Sequence, residues 1–317
     1  MAFFNPEKFT SEAVEKLKTE LSSKAIIAAS GGVDSTVAAV LAAKAVKDNL
    51  LAIYVDTGYM RLGESEYESS MLSTLGVKHK VVDASEQFYS GLKGVVDPEQ
   101  KRKIIGELFI RVFEKEAEEY GGKFLVQGTI APDWIESGGG LRDTIKSHHN
   151  VGGLPEDMDM VLCEPIRELY KDEVRSLAEY LDVSVSQRQP FPGPGLAVRV
   201  MGEATPERTE VVRQACHIAE NEMELAAKEG IMELPWQYFA ALLPVRSVGV
   251  HGDVRAYGET IVVRAVQSMD GMSARYSEIP HPILQKISTR ITNTVKGAAN
   301  RVVYDITHKP PGTIEWE

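Results

Sequence analysis

The sequence predicts an α/β protein in which a parallel-sheet domain, residues 1–188, precedes a smaller α+β domain, residues 189–317. Two observations support this prediction. In the first half of the chain, short apolar runs alternate with helical patterns, as in sheets built from right-handed crossovers. From residue 190 to residue 195, prolines and glycines are so dense that they indicate a change of domain.

The first predicted strand and helix enclose the most informative motif. Residues 25–29 are a short apolar run, which is typical of a buried parallel strand. A helix with one apolar stripe is predicted directly after it, with stripe residues Val33, Val37, Val40, Leu41 and Ala45. We expect the loop between them to bind pyrophosphate, because glycines allow close approach and the first amides of the helix point at an anion. The loop comprises Ser30, Gly31, Gly32, Val33, Asp34 and Ser35.

The side chains of this loop extend the interpretation. Ser30 and Ser35 add hydroxyl donors, and the Asp34 carboxylate could hold Mg2+ against the phosphates. No lysine follows the glycines, so the motif is not a Walker A loop. A glycine turn that only caps a structural helix is the alternative, and the strand-turn-helix context favours the nucleotide.

The rest of the first domain follows the same alternation. Further strands are predicted at 50–55, 80–83, 124–127 and 160–163. The clearest helix runs from its cap at Asp97 to Gly121, and another covers about 170–181. Because ligands collect at the carboxyl ends of parallel strands, Asp56 and Gly128 should lie on the same rim as the loop.

The second domain is predicted to combine helices with a few strands. Thr205 caps a long helix that begins at Pro206, and another helix covers about 282–296. The strands are predicted at 240–250, 260–267 and 301–304. A unit with so few strands has a modest core, so we expect association with a second copy, as a homodimer, to stabilise it.

Composition argues against several classes of protein. The formal net charge of -11 and the pI near 5.3 disfavour a broad nucleic-acid-binding face. The two cysteines, Cys163 and Cys216, form no CxxC pair, so neither a zinc site nor a disulfide scaffold is indicated, and a reducing cytoplasm fits best. We find no leader pattern and no apolar run of about 18 residues, so export or membrane insertion has no support.

Five motifs carry a family resemblance. Residues 30–35 resemble the fingerprint of the N-type ATP pyrophosphatases. The other four resemble the GMP synthetases within that family, at residues 146–155, 190–195, 243–250 and 309–317. The resemblance implies an adenine-nucleotide alpha-hydrolase-like ATP pyrophosphatase domain over residues 1–188. It also implies a dimerisation and XMP-binding domain over residues 189–317.

The resemblance implies a two-step reaction. ATP adenylates the 2-oxygen of XMP and releases pyrophosphate, and ammonia then displaces AMP to form GMP. Backbone donors and Mg2+ would stabilise the charge that develops between the α- and β-phosphates. Because positioning of the two nucleotides accounts for much of the remaining rate effect, we expect no covalent enzyme nucleophile.

The same resemblance assigns roles in the first domain. Asp34 and Glu173 would bind Mg2+, Lys171 would contact an ATP phosphate, and Val55 and Asp56 would lie near the adenosine. Each assignment has a structural alternative. Lys171 and Glu173 could belong to a solvated helix face, and Asp56 could cap the following turn.

A glycine-flanked segment is interpreted as a lid that closes over the bound nucleotides. It contains Lys146, His148 and His149, with glycines at 138–140 and 152–153. Lys146 would stabilise phosphate charge on closure, whereas the alternative is an ordinary surface loop. Adjacent histidines cannot readily share one metal, and no third ligand is evident nearby.

The XMP site is implied mainly in the second domain. Asp253, Arg255 and the tail are its expected components: Lys309 would bind the 5'-phosphate, and Ile314 and Glu315 would hold the purine. Two prolines stiffen this tail, and Ile314 and Trp316 are poor residues to leave in solvent, so a docked tail is expected. Arg246 and Arg264 are further candidates that could instead pair with acids structurally.

The sequence also predicts a partner subunit and leaves two other functions to be weighed. Cys163 and Cys216 have the character of core residues rather than a glutaminase nucleophile, so a separate glutamine amidotransferase subunit should supply the ammonia. Another N-type pyrophosphatase, such as an NAD synthetase or a tRNA-modifying enzyme, should lack the 309–317 motif. A non-catalytic nucleotide sensor should have lost the acid at position 34 or 173, and both are present.

Overall fold

The computed structural model describes residues 4–136, 160–183, 188–251, 253–269 and 271–317. Its contacts divide the chain into two compact units. The first unit comprises Met1–Thr57, Gly63–Ser85 and Gly106–Arg188, and the second comprises Gly58–Leu62, Glu86–Ile105 and Gln189–Glu317. Among the helices in the described ranges, none has the length and apolar character needed to span a membrane.

The first unit contains a five-stranded sheet. Its strands are β1 Ala25–Ala28, β2 Leu50–Asp56, β3 His79–Asp83, β4 Phe124–Val126 and β5 Val161–Cys163. The helices up to residue 180 are α1 Pro6–Glu20, α2 Val33–Val46, α3 Glu64–Thr74, α4 Ser85–Gly91, α5 Pro98–Tyr120, α6 Ala131–Glu136 and α7 Lys171–Tyr180. Residues 86–105, which include most of α4 and the start of α5, belong to the second unit. The predicted cap of α5 is confirmed, because the Gln100 amide donates to Asp97 Oδ1 at 2.9 Å.

The sheet confirms the predicted α/β class. Its strand order is β3-β2-β1-β4-β5, and each of its four pairings is parallel. The chain moves from β1 through β2 to one edge and later returns beside β1 with β4. The order therefore reverses between β1 and β4, and in such sheets ligands bind at that point, beyond the carboxyl ends of the strands.

The prediction of one apolar stripe on α2 was wrong. Seven consecutive residues, from Thr36 to Ala42, are buried, and α2 packs against both α1 and α7. A helix that is apolar on every side is a core helix rather than a surface helix. The N-terminus of α2 is thus held on several sides, which gives the loop before it a rigid support.

The second unit is built on a long hairpin. Its later elements are α8 Pro206–Lys228, β6 Gln237–His251, β7 Val254–Gln267, β8 Arg275–Tyr276, α9 His281–Thr294 and β9 Ala299–Tyr304. Strands β6 and β8 pair antiparallel with β7, whereas β9 pairs with it in parallel. The side chain of Thr205 accepts from the Arg208 amide, which confirms the predicted helix cap. Strand β8 was missed because a two-residue strand has no detectable periodicity.

Candidate active site

The loop between β1 and α2 forms a cradle of backbone amides. Gly31 adopts φ +73°, a conformation that favours glycine, and Gly32 is the N-cap of α2. Inside the loop, Ser30 Oγ and Ser35 Oγ lie 2.9 Å apart, and Ser35 Oγ donates to the Gly32 carbonyl. These bonds fix the loop while the first helical amides, which have no partner within the helix, are directed outward. Such an arrangement binds phosphate groups.

Gly128, two residues beyond β4, packs against the first turn of α2. A Cβ at this position would lie 2.7 Å from the carbonyl carbon of Asp34 and 2.7 Å from the Ser35 nitrogen. Only glycine allows this approach of backbone to backbone. The carboxyl end of β4 therefore meets the loop between β1 and α2 where the strand order reverses, as the sequence predicted for the rim.

Asp34 and Lys171 meet although they are far apart in the chain. Lys171 Nζ donates to Asp34 Oδ2 at 2.6 Å, and both side chains are partly exposed. The other carboxylate oxygen, Asp34 Oδ1, is buried and has no hydrogen-bond partner among the residues that the structure describes. A buried carboxylate oxygen without a donor suits a hard divalent cation, so this residue fits Mg2+.

Glu173 has a local structural role. Its Oε2 accepts from the Tyr170 amide at 2.9 Å, which places it at the third position of α7 as a capping residue. Across the described ranges, no group of three or more His, Cys, Asp or Glu residues is arranged to hold a metal. Mg2+ is commonly held by one or two carboxylates together with phosphates and water, so the protein need supply no more than this.

The predicted adenosine residues lie at the end of β2. Val55 is buried within the sheet. The Ser65 hydroxyl donates to Asp56 Oδ2, so the Asp56 carboxylate ties β2 to α3. The Asp56 carbonyl also accepts from the Ala84 amide, which continues the contact to the end of β3. Their contact with adenosine remains a prediction.

A buried ionic cluster beside the loop was missed. Glu64 and Glu68 are both buried on α3, and a Cβ on Gly31 would lie 2.7 Å from Glu68 Oε1. Arg188 binds Glu64 through both terminal nitrogens, at 2.9 and 2.8 Å, and lies 3.4 Å from Glu68 Oε1. Its guanidinium also stacks 4.4 Å from the Tyr67 ring. The i,i+4 spacing of the two glutamates was the available signal, but that pattern normally marks a solvated face.

Burial and neighbouring charges have opposing effects on the pKa of Arg188. Burial disfavours the guanidinium, yet the pKa of Arg188 is raised because Glu64, Tyr67 and Glu68 outweigh that effect. Nearby, burial and then the acids Glu64 and Asp56 raise the pKa of Tyr54. The Arg188 guanidinium therefore stays charged at physiological pH and bonds to Glu64 and Glu68 beside Gly31.

The tail expected to bind XMP is docked within the second unit. Lys309 pairs with Ala274 through backbone hydrogen bonds in both directions, and its ammonium donates to the Gly271 carbonyl at 2.7 Å. Ile314 is half-buried. Glu315 contacts the guanidinium of Arg199 through both carboxylate oxygens, at 3.0 and 2.8 Å. The side chains of Lys309 and Glu315 thus already have protein partners.

Asp253 and Arg255 lie where β6 turns into β7 and are exposed. Arg255 lies 5.5 Å above the Tyr257 ring. Within the described ranges, no hydrogen bond or ion pair joins either residue to Lys309, Ile314 or Glu315. The structure does not bring these two parts of the expected XMP site together, and their shared role stays a prediction.

The remaining candidate residues are those of the predicted lid and the two arginines of the second domain. The lid residues Lys146, His148 and His149 lie outside the described residues. Arg246 is exposed and donates to the Tyr257 carbonyl at 3.2 Å. Arg264 is almost fully buried and pairs with Asp305 at 2.8 Å, which is the structural alternative expected for it.

Both cysteines should be chemically inert in the folded protein. Burial raises the pKa of Cys163 to about 12 and that of Cys216 to about 11. We expect negligible labelling by a disulfide thiol reagent at pH 8 in the native state and two labelled thiols per chain in denaturant. These raised pKa values favour folding below pH 9, and that contribution is lost as the pH rises through 11 to 12. Rapid labelling at pH 8 with loss of activity would instead indicate a reactive thiol.

Two family models match parts of the chain, and several known proteins match nearly all of it. The family model described as NAD synthase matches residues 6–111, and the GMP synthase C terminal domain matches residues 224–316. A subunit of GMP synthase (glutamine-hydrolyzing) from Pyrococcus abyssi is 55% identical over 317 residues, which covers 99% of this chain and 100% of that protein. The corresponding subunit from Methanopyrus kandleri is 54% identical, with the same two coverages. The one from Thermoplasma acidophilum is 51% identical, covering 97% and 99%.

Proposed function

The chain belongs to this family of GMP synthase (glutamine-hydrolyzing) subunits, and we infer from this that it is a ligase that converts XMP to GMP in an ATP-dependent amination. The observation that carries this inference in the structure is the Asp34–Lys171 pair beside an amide cradle. Both lie where the parallel sheet reverses its strand order. The resemblance inferred from the sequence motifs is confirmed, and the rival pyrophosphatases and the non-catalytic sensor are not supported.

The geometry suits adenylation of an oxygen nucleophile. When the 2-oxygen of XMP attacks the α-phosphorus, negative charge accumulates on the departing pyrophosphate. The amides at the start of α2 are already oriented toward such charge, so they need no rearrangement during the reaction. Lys171 adds a positive charge, and its bond to Asp34 holds the ammonium beside the loop.

We propose that Asp34 binds Mg2+ through Oδ1, with Glu173 as a second ligand. Bound there, the ion would offset charge on the phosphates. Support for Asp34 comes from its buried oxygen, which has no donor within the described ranges. Support for Glu173 comes from its place in the first turn of α7, two residues after Lys171.

Separate roles are also proposed for the two domains that the sequence predicts. Residues 1–188 would form the ATP pyrophosphatase domain, with Val55 and Asp56 near the adenosine. Residues 189–317 would mediate homodimerisation and bind XMP through Lys309 and Ile314, with Asp253 and Arg255 contributing from the hairpin turn. Lys146, His148 and His149 would act from a lid.

The names of the relatives imply a second protein chain. Each relative is named as one subunit of a glutamine-hydrolysing synthase, and we propose that a separate glutamine amidotransferase releases the ammonia that reaches this chain. Free ammonium should therefore replace glutamine and the amidotransferase. A cytoplasmic location, expected from the two free cysteines, remains a prediction.

The test is an assay of the purified chain with ATP, Mg2+, XMP and ammonium at mildly alkaline pH. Equal amounts of AMP and GMP are expected, and glutamine without an amidotransferase should give neither. A parallel reaction with deamido-NAD, which carries nicotinic acid in place of nicotinamide, instead of XMP should release no AMP. Turnover with that acceptor and none with XMP would overturn the proposal and indicate an NAD synthetase.

A further inference from the structure

Two acids on α3 cover one side of the loop between β1 and α2, residues 30–35. Glu68 is fully buried and Glu64 is almost fully buried. A Cβ on Gly31 would lie 2.7 Å from Glu68 Oε1 and 3.6 Å from Glu64 Oε1. The backbone at Gly31 therefore packs directly on these carboxylates, and a larger residue there would force them apart.

Helix α3 is attached to the parallel sheet that also carries the loop. The Ser65 hydroxyl donates to Asp56 Oδ2 at the end of β2. Ser69 Oγ and His79 Nε2, at the start of β3, are hydrogen-bonded at 2.9 Å. Because these bonds reach two different strands, the helix cannot slide along the sheet without breaking one of them. The carboxylates of α3 are thus held at a defined place beside Gly31.

Arg188 fixes the orientation of both carboxylates. Its Nη1 donates to Glu64 Oε1 at 2.9 Å and to Glu68 Oε1 at 3.4 Å, the same two oxygens that a Cβ on Gly31 would approach. Its Nη2 donates to Glu64 Oε2 at 2.8 Å, which completes a bidentate pair. The guanidinium also stacks 4.4 Å from the Tyr67 ring. Such planar, two-bond contacts restrict the rotation of both side chains.

Stability by itself does not account for an ionic cluster at this place. Replacing a buried ion pair by apolar side chains of similar volume is often neutral or stabilising, because desolvation of the charges offsets their attraction. Bidentate ionic bonds instead add direction, which apolar contacts lack. The other end of the loop is also fixed, since a Cβ on Gly128 would lie 2.7 Å from the carbonyl carbon of Asp34. Both ends are therefore held from outside the loop, as expected where backbone amides must be preorganised.

We propose that Glu68 is a positioning residue for the phosphates of ATP: held by Arg188, it fixes Gly31 and thereby the direction of the loop amides, without contacting the nucleotide. The proposal rests on the function proposed above, in which these amides bind ATP and stabilise the departing pyrophosphate. A displaced loop should raise the KM for ATP and lower kcat together, because the amides contact the phosphates both before and during the reaction. Misplacement by about 1 Å can cost roughly 100-fold in rate, so kcat/KM for ATP should fall roughly 10- to 100-fold when the support is removed.

The test compares Glu68→Ala with Glu66→Ala by ammonia-dependent kinetics. Glu68→Ala removes the support for Gly31 but leaves the two bonds between Arg188 and Glu64, so kcat/KM for ATP should fall roughly 10- to 100-fold. The KM for XMP should stay near the wild-type value, because XMP is proposed to bind mainly through residues 189–317. Glu66 is the matched control, since it is an exposed acid on the same helix. All kinetic constants of that variant should equal those of wild type.

Two conservative variants decide the question if Glu68→Ala does not fold. Glu68→Gln keeps the shape but weakens the bond from Arg188, and Arg188→Lys keeps the charge but loses the bidentate geometry. Both should show a smaller fall in kcat/KM for ATP, again with an unchanged KM for XMP. Wild-type values of kcat/KM for ATP in both variants would overturn the positioning role. Equal rises of the KM for ATP and the KM for XMP would also overturn it, because they would indicate a general loss of structure.

Calorimetric titration with inorganic pyrophosphate in the presence of Mg2+ supplies a measurement that does not depend on turnover. The dissociation constant should rise by roughly 10-fold or more in Glu68→Ala and stay at the wild-type value in Glu66→Ala. Unchanged pyrophosphate binding in Glu68→Ala would contradict the positioning role. Absence of GMP formation in a wild-type protein that binds pyrophosphate would instead overturn the proposed function.

Discussion

Replacing Asp34 with Asn is expected to slow AMP and GMP formation by roughly 100- to 1000-fold, the usual cost of losing one preorganised charged group at a reaction centre. The substitution preserves shape and removes the charge. It weakens the bond to Lys171 Nζ, now 2.6 Å, and leaves Oδ1 a poorer ligand for a cation. Higher Mg2+ should recover part of the lost activity, because a weakened site fills at higher concentration.

The matched control is Asp48→Asn, which removes the same charge from an exposed position just beyond the far end of α2. Its kcat and Mg2+ dependence should equal those of wild type. Lys171→Met separates the two functions of Asp34. If Asp34 only positioned Lys171, the two variants would lose equal activity and neither would respond to Mg2+. That result would exclude Asp34 as the metal ligand.

Replacing Gly195 with Ala is expected to have the largest effect on stability. Gly195 adopts φ +65°, and a Cβ there would overlap the Tyr59 carbonyl oxygen. That oxygen accepts from the Leu196 amide at 2.7 Å, and Tyr59 is fully buried. The backbone at Gly195 or Tyr59 must move to relieve this overlap. The free energy of unfolding should therefore fall by about 1 kcal/mol from left-handed strain and by about 1–3 kcal/mol more from overpacking. The midpoint of thermal unfolding should fall by roughly 5–10 °C.

Gly230→Ala isolates the contribution of the backbone conformation. Gly230 has φ +73°, and a Cβ there would meet no described atom within 4 Å. The free energy of unfolding of Gly230→Ala should fall by about 1 kcal/mol, well below the loss in Gly195→Ala. Equal shifts of the two unfolding midpoints would show that the backbone near Tyr59 moves without loss of stability. The close approach of the two backbones at Gly195 would then contribute nothing to the effect of the substitution.

Much of the fold was predictable because it depends on neighbouring residues. Apolar runs predicted the strands, and Asp97 and Thr205 predicted helix starts, since a cap bonds an amide within its own turn. The surroundings of α2 were not predictable from its own pattern, because a helix enclosed by α1 and α7 is buried wherever its apolar residues fall. Strand β8 exists only through its pairing with β7.

In the candidate site, too, some residues were predictable from the sequence and others were not. The loop from Ser30 to Ser35 was identified from its sequence, as were the acid at position 34 and the lysine at position 171. The ionic cluster of Glu64, Glu68 and Arg188 was not, because the sequence does not reveal that these charges are buried. The tail was expected to dock, but Arg199, which binds Glu315, had no distinguishing pattern.

The sequence by itself determined the local chemistry: a glycine loop between a strand and a helix, the capped helices, the buried cysteines and the motifs of the family. Tertiary structure alone decided which charges meet. Lys171 and Asp34 are 137 residues apart, and Arg199 and Glu315 are 116 apart. The physical reason is range: caps and turns act within a few residues, whereas an ion pair or a backbone contact such as that of Gly128 exists only after packing has brought distant segments together.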